Sequence, residues 1–158
     1  MSMLIDIFMR LFLLLFFLIT PANCYAATIT RVIDGDTIVV DGSIRVRLYG
    51  IDCPERGQPG EIWATECTAS LVLERQVSIE AQYQDRFGRT VAIVLLENGL
   101  TVQEALLLRG AAWVAPRYCK LPQCSEWKLL EETARLSGVG IWAEPHPIPP
   151  WTWRKQTK

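Results

Sequence analysis

Apolar positions along this chain change period twice. A near-continuous apolar run, LFLLLFFLIT, ends at Pro21. From Thr28 the pattern alternates, and TITRVIDGDTIVVDGSIRVRLYGID reads as three β-rich runs separated by the turn signals IDGDT and VDGS. In the third run, Val46 and Leu48 share one face while Arg45, Arg47 and Tyr49 share the other. The apolar pair is therefore assigned to a core and the arginines to an outer groove. ERGQPG is a loop, after which EIWATECTASLVLE takes helical spacing, with Ala64, Cys67 and Leu71 on one face. QVSIEAQYQ and TVAIVLL form a second strand pair joined by DRFGR. TVQEALLLRG predicts a short helix capped by Thr101 and closed by Gly110, and a second helix of the same design runs from Ser125 to Gly138.

Three strands, a helix, two strands and further helices follow the order of an OB-fold. The expected class is mainly β with helices (α+β), a five-stranded Greek-key barrel with about three packed helices. An α+β sheet domain has a similar pattern. The expected boundaries are a signal peptide over 1–26, the domain over 27–143 and a proline-rich basic tail over 144–158. That tail, AEPHPIPPWTWRKQTK, has the composition of a poorly ordered terminus, with partner docking as the alternative. His146 stands there as a lone loop residue with no pattern of metal ligands around it.

The apolar run followed by PANCYAA predicts export with cleavage after Ala26 or Ala27. An uncleaved anchor is the rival reading, but Leu11 to Ile19 falls short of the roughly 20 residues that span a bilayer. The chain would then be periplasmic or secreted from a bacterium, with no membrane span after cleavage. Cleavage removes Cys24 from the five cysteines and leaves four, an even set that favours disulfides over zinc in an oxidising compartment. Cys119 and Cys124 bracket KLPQ and are the natural pair, which leaves Cys53 to Cys67. The net charge of −1 excludes a general polyanion magnet, so nucleic-acid binding requires a local cluster.

The acids come in two turns. Asp34 and Asp36 flank Gly35; Asp52 and Glu55 flank Cys53-Pro54. Such aspartates are commonly turn formers. Brought together, Asp36 and Asp52 offer hard oxygen ligands without histidine, a set that suits Ca²⁺ or Mg²⁺. Arg47 lies upstream of Asp52, and Arg89 follows the FGR turn. Two guanidiniums facing a carboxylate-bound cation make a phosphate clamp, and Glu55 can orient or deprotonate a water.

IDGDT, RVRLYGIDCPE, DRFGR and the late GVGIW resemble, in order and spacing, the motifs of the staphylococcal (micrococcal) nuclease family, over about Thr28 to Trp142. The resemblance implies an OB-fold with packed helices and a Ca²⁺-dependent nuclease acting on DNA and RNA, with 3′-phosphate and 5′-hydroxyl products. It implies that Asp36 and Asp52 ligate calcium with the Cys53 carbonyl, that Arg47 and Arg89 contact the scissile phosphate, and that Glu55 acts on the attacking water. Arg86, Phe87 and Tyr118 then fall in the substrate-binding surface. The expected enzyme is a monomer that prefers single or denatured strands.

Several positions depart from the family pattern. Cys53 replaces the threonine of the calcium shell, Phe87 replaces a tyrosine, and Pro116 stands where a second pocket tyrosine is expected. The lysine-rich surface of the secreted prototype is missing. These changes predict weaker substrate affinity with a shallow salt dependence, because fewer phosphates are neutralised. Two other functions fit the same elements: a non-catalytic OB module binding nucleic acid or protein, and a structural periplasmic domain whose tail docks a partner.

Overall fold

The computed structural model describes residues 24–157. The apolar run at Leu11–Ile19 lies outside the described residues. Among those described, no helix is long and apolar enough to cross a membrane.

Five strands close a barrel in the order β1-β2-β3-β6-β5: β1 (Cys24–Asp34), β2 (Thr37–Val40), β3 (Ile44–Leu48), β5 (Gln76–Gln84) and β6 (Thr90–Leu95). β1 makes closure possible because it serves two neighbours. Its first half, Cys24–Thr28, pairs antiparallel with β5, and its second half, from Ile29, pairs with β2. Register shifts at Ile29/Arg31 and Val32/Asp34 bend the second half, as bulges do where a sheet must curl. β3 and β6 run parallel, with Val46 opposite Thr90 and Leu48 opposite Ala92. A separate ladder joins β4 (Ile51–Asp52) to β7 (Trp113–Val114). This is the expected barrel. Its first strand begins at Cys24, so cleavage after Ala26 would leave only Ala27 and Thr28 on the β5 ladder.

Inward-facing Ile29, Ile38, Val40, Val46, Leu48 and Ile79 are fully buried in one continuous core, each side chain contributing about 1.5–3 kcal/mol. Helix α1 (Glu61–Val72) turns Ala64, Cys67 and Leu71 onto that core, as its spacing predicts. α2 (Val102–Leu108) starts at the Thr101–Glu104 capping box and is followed by Gly110 at positive φ.

Four expectations change. α3 (Cys124–Leu136) starts before Ser125, and Gln123 stands at its N-cap without a side-chain hydrogen bond. The Pro122 turn, with its Cys124 N–H to Leu121 and Ser125 N–H to Pro122 bonds, already launches the helix. Tyr49 is not on the outer groove beside Arg47. β3 ends at Leu48, so alternation lapses and Tyr49 turns inward, edge-to-face on Trp127 with ring centroids 6.4 Å apart. Cys119–Cys124 is a disulfide as expected, but Cys53 and Cys67 are buried free thiols. Last, the C-terminal segment is ordered. A 3-10 turn (Gly140–Ala143) leads through an exposed bend at His146 to α4 (Pro150–Gln156), where Trp151 packs on a second cluster of Trp113, Ala134, Ile141 and Trp142. Proline-rich composition does not prevent packing here because Pro150 sits at the first helical turn, where its missing N–H costs nothing.

Candidate active site

The first acidic turn is built around close approach. A Cβ on Gly35 would lie 2.7 Å from Cβ of Cys53 and 2.9 Å from Cβ of Ala64. Only glycine lets the turn lie against both. The Thr68 hydroxyl donates to the Gly35 carbonyl at 2.6 Å, and the Asp36 N–H donates to Asp34 Oδ1 at 3.1 Å. Asp36 is then tied to the second turn, because its Oδ2 accepts the Cys53 N–H at 2.8 Å.

Arg47, on β3, lies between the two turns. Its Nη2 donates to Asp52 Oδ1 at 2.7 Å and to the Ile51 carbonyl at 3.2 Å, and its Nη1 pairs with the Asp36 carboxylate. One guanidinium thus holds both aspartates side by side. Asp36 and Asp52 are 8% and 3% exposed, and burial without a partner is expensive for a carboxylate. Glu55 follows on a loop pinned by its own N–H, which donates to Gln58 Oε1 at 2.9 Å. Gln58, itself buried, donates from Nε2 to the Ile148 carbonyl at 2.6 Å.

Arg89 belongs to the opposite wall. Asp85 Oδ1 accepts the backbone N–H groups of Phe87 and Arg89, and Oδ2 accepts Arg89 Nε at 2.7 Å. Burial pushes the Asp85 carboxyl up, but these hydrogen bonds and the Arg89 charge outweigh it and hold the group below its ordinary range. Arg86 and Arg89 both lie over the Phe87 ring, at 4.8 and 5.5 Å from its centroid. Phe87 and Tyr118 are exposed.

Asp36, Arg47, Asp52, Glu55 and Arg89 all line one cavity of about 870 Å³, together with Arg86, Phe87 and Tyr118. Cys53 does not line it. Burial, only partly countered by Arg47, pushes its thiol far above the ordinary range, so Cys53 has only its backbone carbonyl to offer a cation. Asp36 and Asp52 add hard carboxylate oxygens. Among the described residues no group of three or more His, Cys, Asp or Glu side chains forms a metal site. Two carboxylates are hard oxygen donors of the kind Ca²⁺ or Mg²⁺ takes, and a cation held by so few protein ligands would have to complete its shell with water or substrate oxygens.

Three contributors are missed by the sequence reading. Tyr83, exposed on β5, lines the same cavity; its position two residues before the DRFGR turn was the available signal. Gln58 looks in sequence like an ordinary loop residue. Arg154, from α4, donates from Nη2 to Asp52 Oδ2 at 2.7 Å and from Nη1 to Asp52 Oδ1 at 3.3 Å and to Glu55. Burial lowers the Arg154 pKa, but the Asp52 and Glu55 carboxylates more than reverse this and raise it.

Comparison with known proteins decides the family. The profile described as "Staphylococcal nuclease homologue" matches residues 45–144, from the Arg47 strand through the 3-10 turn. The chain belongs to the staphylococcal nuclease family. An Escherichia coli O157:H7 protein described as "Uncharacterized endonuclease" is 36% identical over 147 residues, covering 90% of this chain and 94% of its own length. The "Micrococcal nuclease" of Shigella flexneri is 34% identical over 145 residues, 85% of this chain and 83% of its own. A further "Uncharacterized endonuclease", from Haemophilus influenzae, is 31% identical over 134 residues, covering 82% and 73%. In this family member the matched segment contains Arg47, Asp52, Glu55 and Arg89 but stops before Arg154, and it begins after Asp36.

Proposed function

We propose that this phosphodiester hydrolase of the staphylococcal nuclease family is an exported, Ca²⁺-dependent monomer that cuts DNA and RNA to leave 3′-phosphate and 5′-hydroxyl ends. The observation that carries this reading is the single cavity shared by the Asp36–Asp52 pair, Glu55, and the two arginines on different walls. Asp36 and Asp52, which line the cavity, would hold the cation, with the adjacent Cys53 carbonyl as the further oxygen that the family resemblance implies. When bound, the cation would supply Lewis-acid stabilisation of negative charge on the phosphate.

The remaining chemistry belongs to the side chains. Arg47 and Arg89 donate to phosphate oxygens as charge builds on them. Arg89 is already held through Nε, with both Nη groups clear of that contact, whereas Arg47 must give up part of its contact with the aspartates as the cation takes them. Glu55 accepts a hydrogen bond from the attacking water and either orients it or takes its proton. Tyr83, Phe87 and Tyr118 present exposed rings to bases flanking the scissile bond, where stacking tolerates any base and favours unpaired strands.

The test is hydrolysis of denatured DNA, duplex DNA and RNA by the purified protein with Ca²⁺ or with chelator, followed by end-group analysis. Expected are fastest cutting of denatured strands, loss of activity on chelation and in Arg89→Ala, and 3′-phosphate termini. Chelator-resistant cleavage or 3′-hydroxyl ends would reject the mechanism. Export is checked by N-terminal sequencing of the protein recovered outside the cytoplasm, with Ala27 or Thr28 expected first.

A further inference from the structure

We propose that Arg154 is an internal cation that competes with the divalent metal for Asp52 and Glu55, so that the C-terminal segment latches the active site until metal displaces the guanidinium. This rests on the assignment of Asp36 and Asp52 as metal ligands. Two arginines reach the acids, but they are held differently. Arg47 is built into β3 and also donates to the Ile51 carbonyl. Among the described residues, Arg154 donates only to Asp52 and Glu55, reaching both oxygens of Asp52 and one of Glu55. A cation approaching Asp52 from the cavity meets this fork, because the Asp52 side chain is only 4% exposed while that of Arg154 is 41% exposed. Asp52 Oδ1 already accepts from Arg47, and Oδ2 accepts from Arg154, so a metal that takes Oδ2 must displace the Arg154 contact there.

The anchor of the latch is separate from its head. Ile148 accepts from Gln58, which also holds the Glu55 N–H. Pro150 is buried, and Trp151 packs on the Trp113–Trp142 cluster. The segment can therefore stay docked on the Glu55 loop while the long arginine side chain alone swings off the acids, within the cavity it already lines. Because docking is independent of the guanidinium, release costs few ordered contacts besides the ion pairs. The freed charge then lies in a cavity whose substrate is a polyanion, so metal entry and phosphate attraction are coupled through one side chain.

The experiment is calorimetric titration of the chelator-treated protein with Ca²⁺, without nucleic acid and at fixed ionic strength. It compares wild type, Arg154→Gln, Arg154→Lys and Asp36→Asn, each first shown to unfold cooperatively. Arg154→Gln should bind Ca²⁺ about tenfold more tightly than wild type, the factor expected from removing one charge-assisted competitor. Arg154→Lys should also bind more tightly than wild type, because a lysine keeps the charge but cannot bridge two carboxylates. Affinity for Arg154→Gln within about twofold of wild type, well under the tenfold of one such contact, would overturn the latch. So would wild-type affinity in Arg154→Lys, which would leave only a long-range charge effect. Absence of Ca²⁺ binding in all four proteins, or unchanged binding in Asp36→Asn, would instead remove the metal assignment, and the latch with it.

Discussion

Replacing Arg47 with Met removes the guanidinium shared by Asp36 and Asp52 while keeping a stem of similar bulk. Taken as side chains alone, the two aspartates are 11% and 4% exposed. Removing one partner of a buried ion pair costs about 3–5 kcal/mol, because the remaining charge is stranded. Arg154 still covers Asp52, so the stranded charge falls mainly on Asp36, which keeps the Cys53 N–H and the Thr37 hydroxyl as donors. That places the expected loss near the lower bound, about 3 kcal/mol, a large part of a typical domain stability of about 5–15 kcal/mol. Urea unfolding in chelator should show it directly. Calcium in hundredfold excess over its dissociation constant adds about 2.7 kcal/mol to any protein that binds it only when folded. In Arg47→Met the cation also neutralises the stranded carboxylate, so the gap from wild type should narrow when calcium is present. Turnover should nevertheless stay about 10²–10³-fold down, because the phosphate has lost a preorganised donor. A stability gap under about 1 kcal/mol in chelator, below the range for any broken buried pair, would refute the bridging role. A gap that calcium leaves unchanged would refute the claim that Arg47 and metal serve the same acids.

Asp85 has a depressed folded pKa, so its stabilising contribution is complete above the ordinary aspartate value of about 3.9 and is lost as pH falls through the lowered folded value. The difference in Tm between wild type and Asp85→Asn should therefore be largest near neutrality and shrink in strong acid; a difference independent of pH would contradict it. Gly35→Ala should cost about 1–3 kcal/mol, as overpacking does, because its Cβ would fall 2.7 Å from that of Cys53; denaturant melts with unchanged midpoints would reject the close-approach account. Cys53 and Cys67 should resist thiol reagents in the folded protein and react fully once it is denatured without reductant, whereas Cys24, where retained, reacts at once. Two thiols still missing after denaturation would mean that they are bridged after all.

What the sequence made legible was mostly local. The two turns between the first three β-runs and the spacing from Arg47 to Asp52 place their side chains over a few residues, and strand alternation carries Arg47 to the outer face. Tyr49 escaped that logic because alternation holds only while the strand continues, and β3 stops one residue earlier. The Cys53–Cys67 pairing failed for a different reason, whereas Cys119–Cys124 is bridged as expected. An even count argues for bridges, but Cys53 is the small buried group against which Gly35 packs, a role fulfilled by a free thiol. Arg154 was hidden by distance, since 102 residues separate it from Asp52. No period or motif reports a contact that only the docking of Trp151 and Ile148 creates. The proline at the first turn of α4, with basic residues in its last turn, was the one local hint that the tail is a helix.

The charges of the site solve a problem that a near-neutral nuclease must meet. Asp36, Asp52 and Glu55 gathered at one end of a barrel would repel a phosphate chain, and they would also capture any mobile guanidinium within reach. Arg47 and Arg154 are held by those acids. Arg89 is not, because Asp85 in its own turn binds it first, through Nε, and leaves both Nη groups free of that contact. Asp85 thus fixes where the Arg89 guanidinium lies. It keeps one arginine on the far wall, beside Arg86 and Phe87, facing the cavity rather than collapsed onto the acids. The arrangement separates an acidic floor suited to a metal from a basic wall suited to phosphate. A chain of net charge −1 has no general attraction for a polyanion, so a local wall of this kind is where such attraction would have to arise.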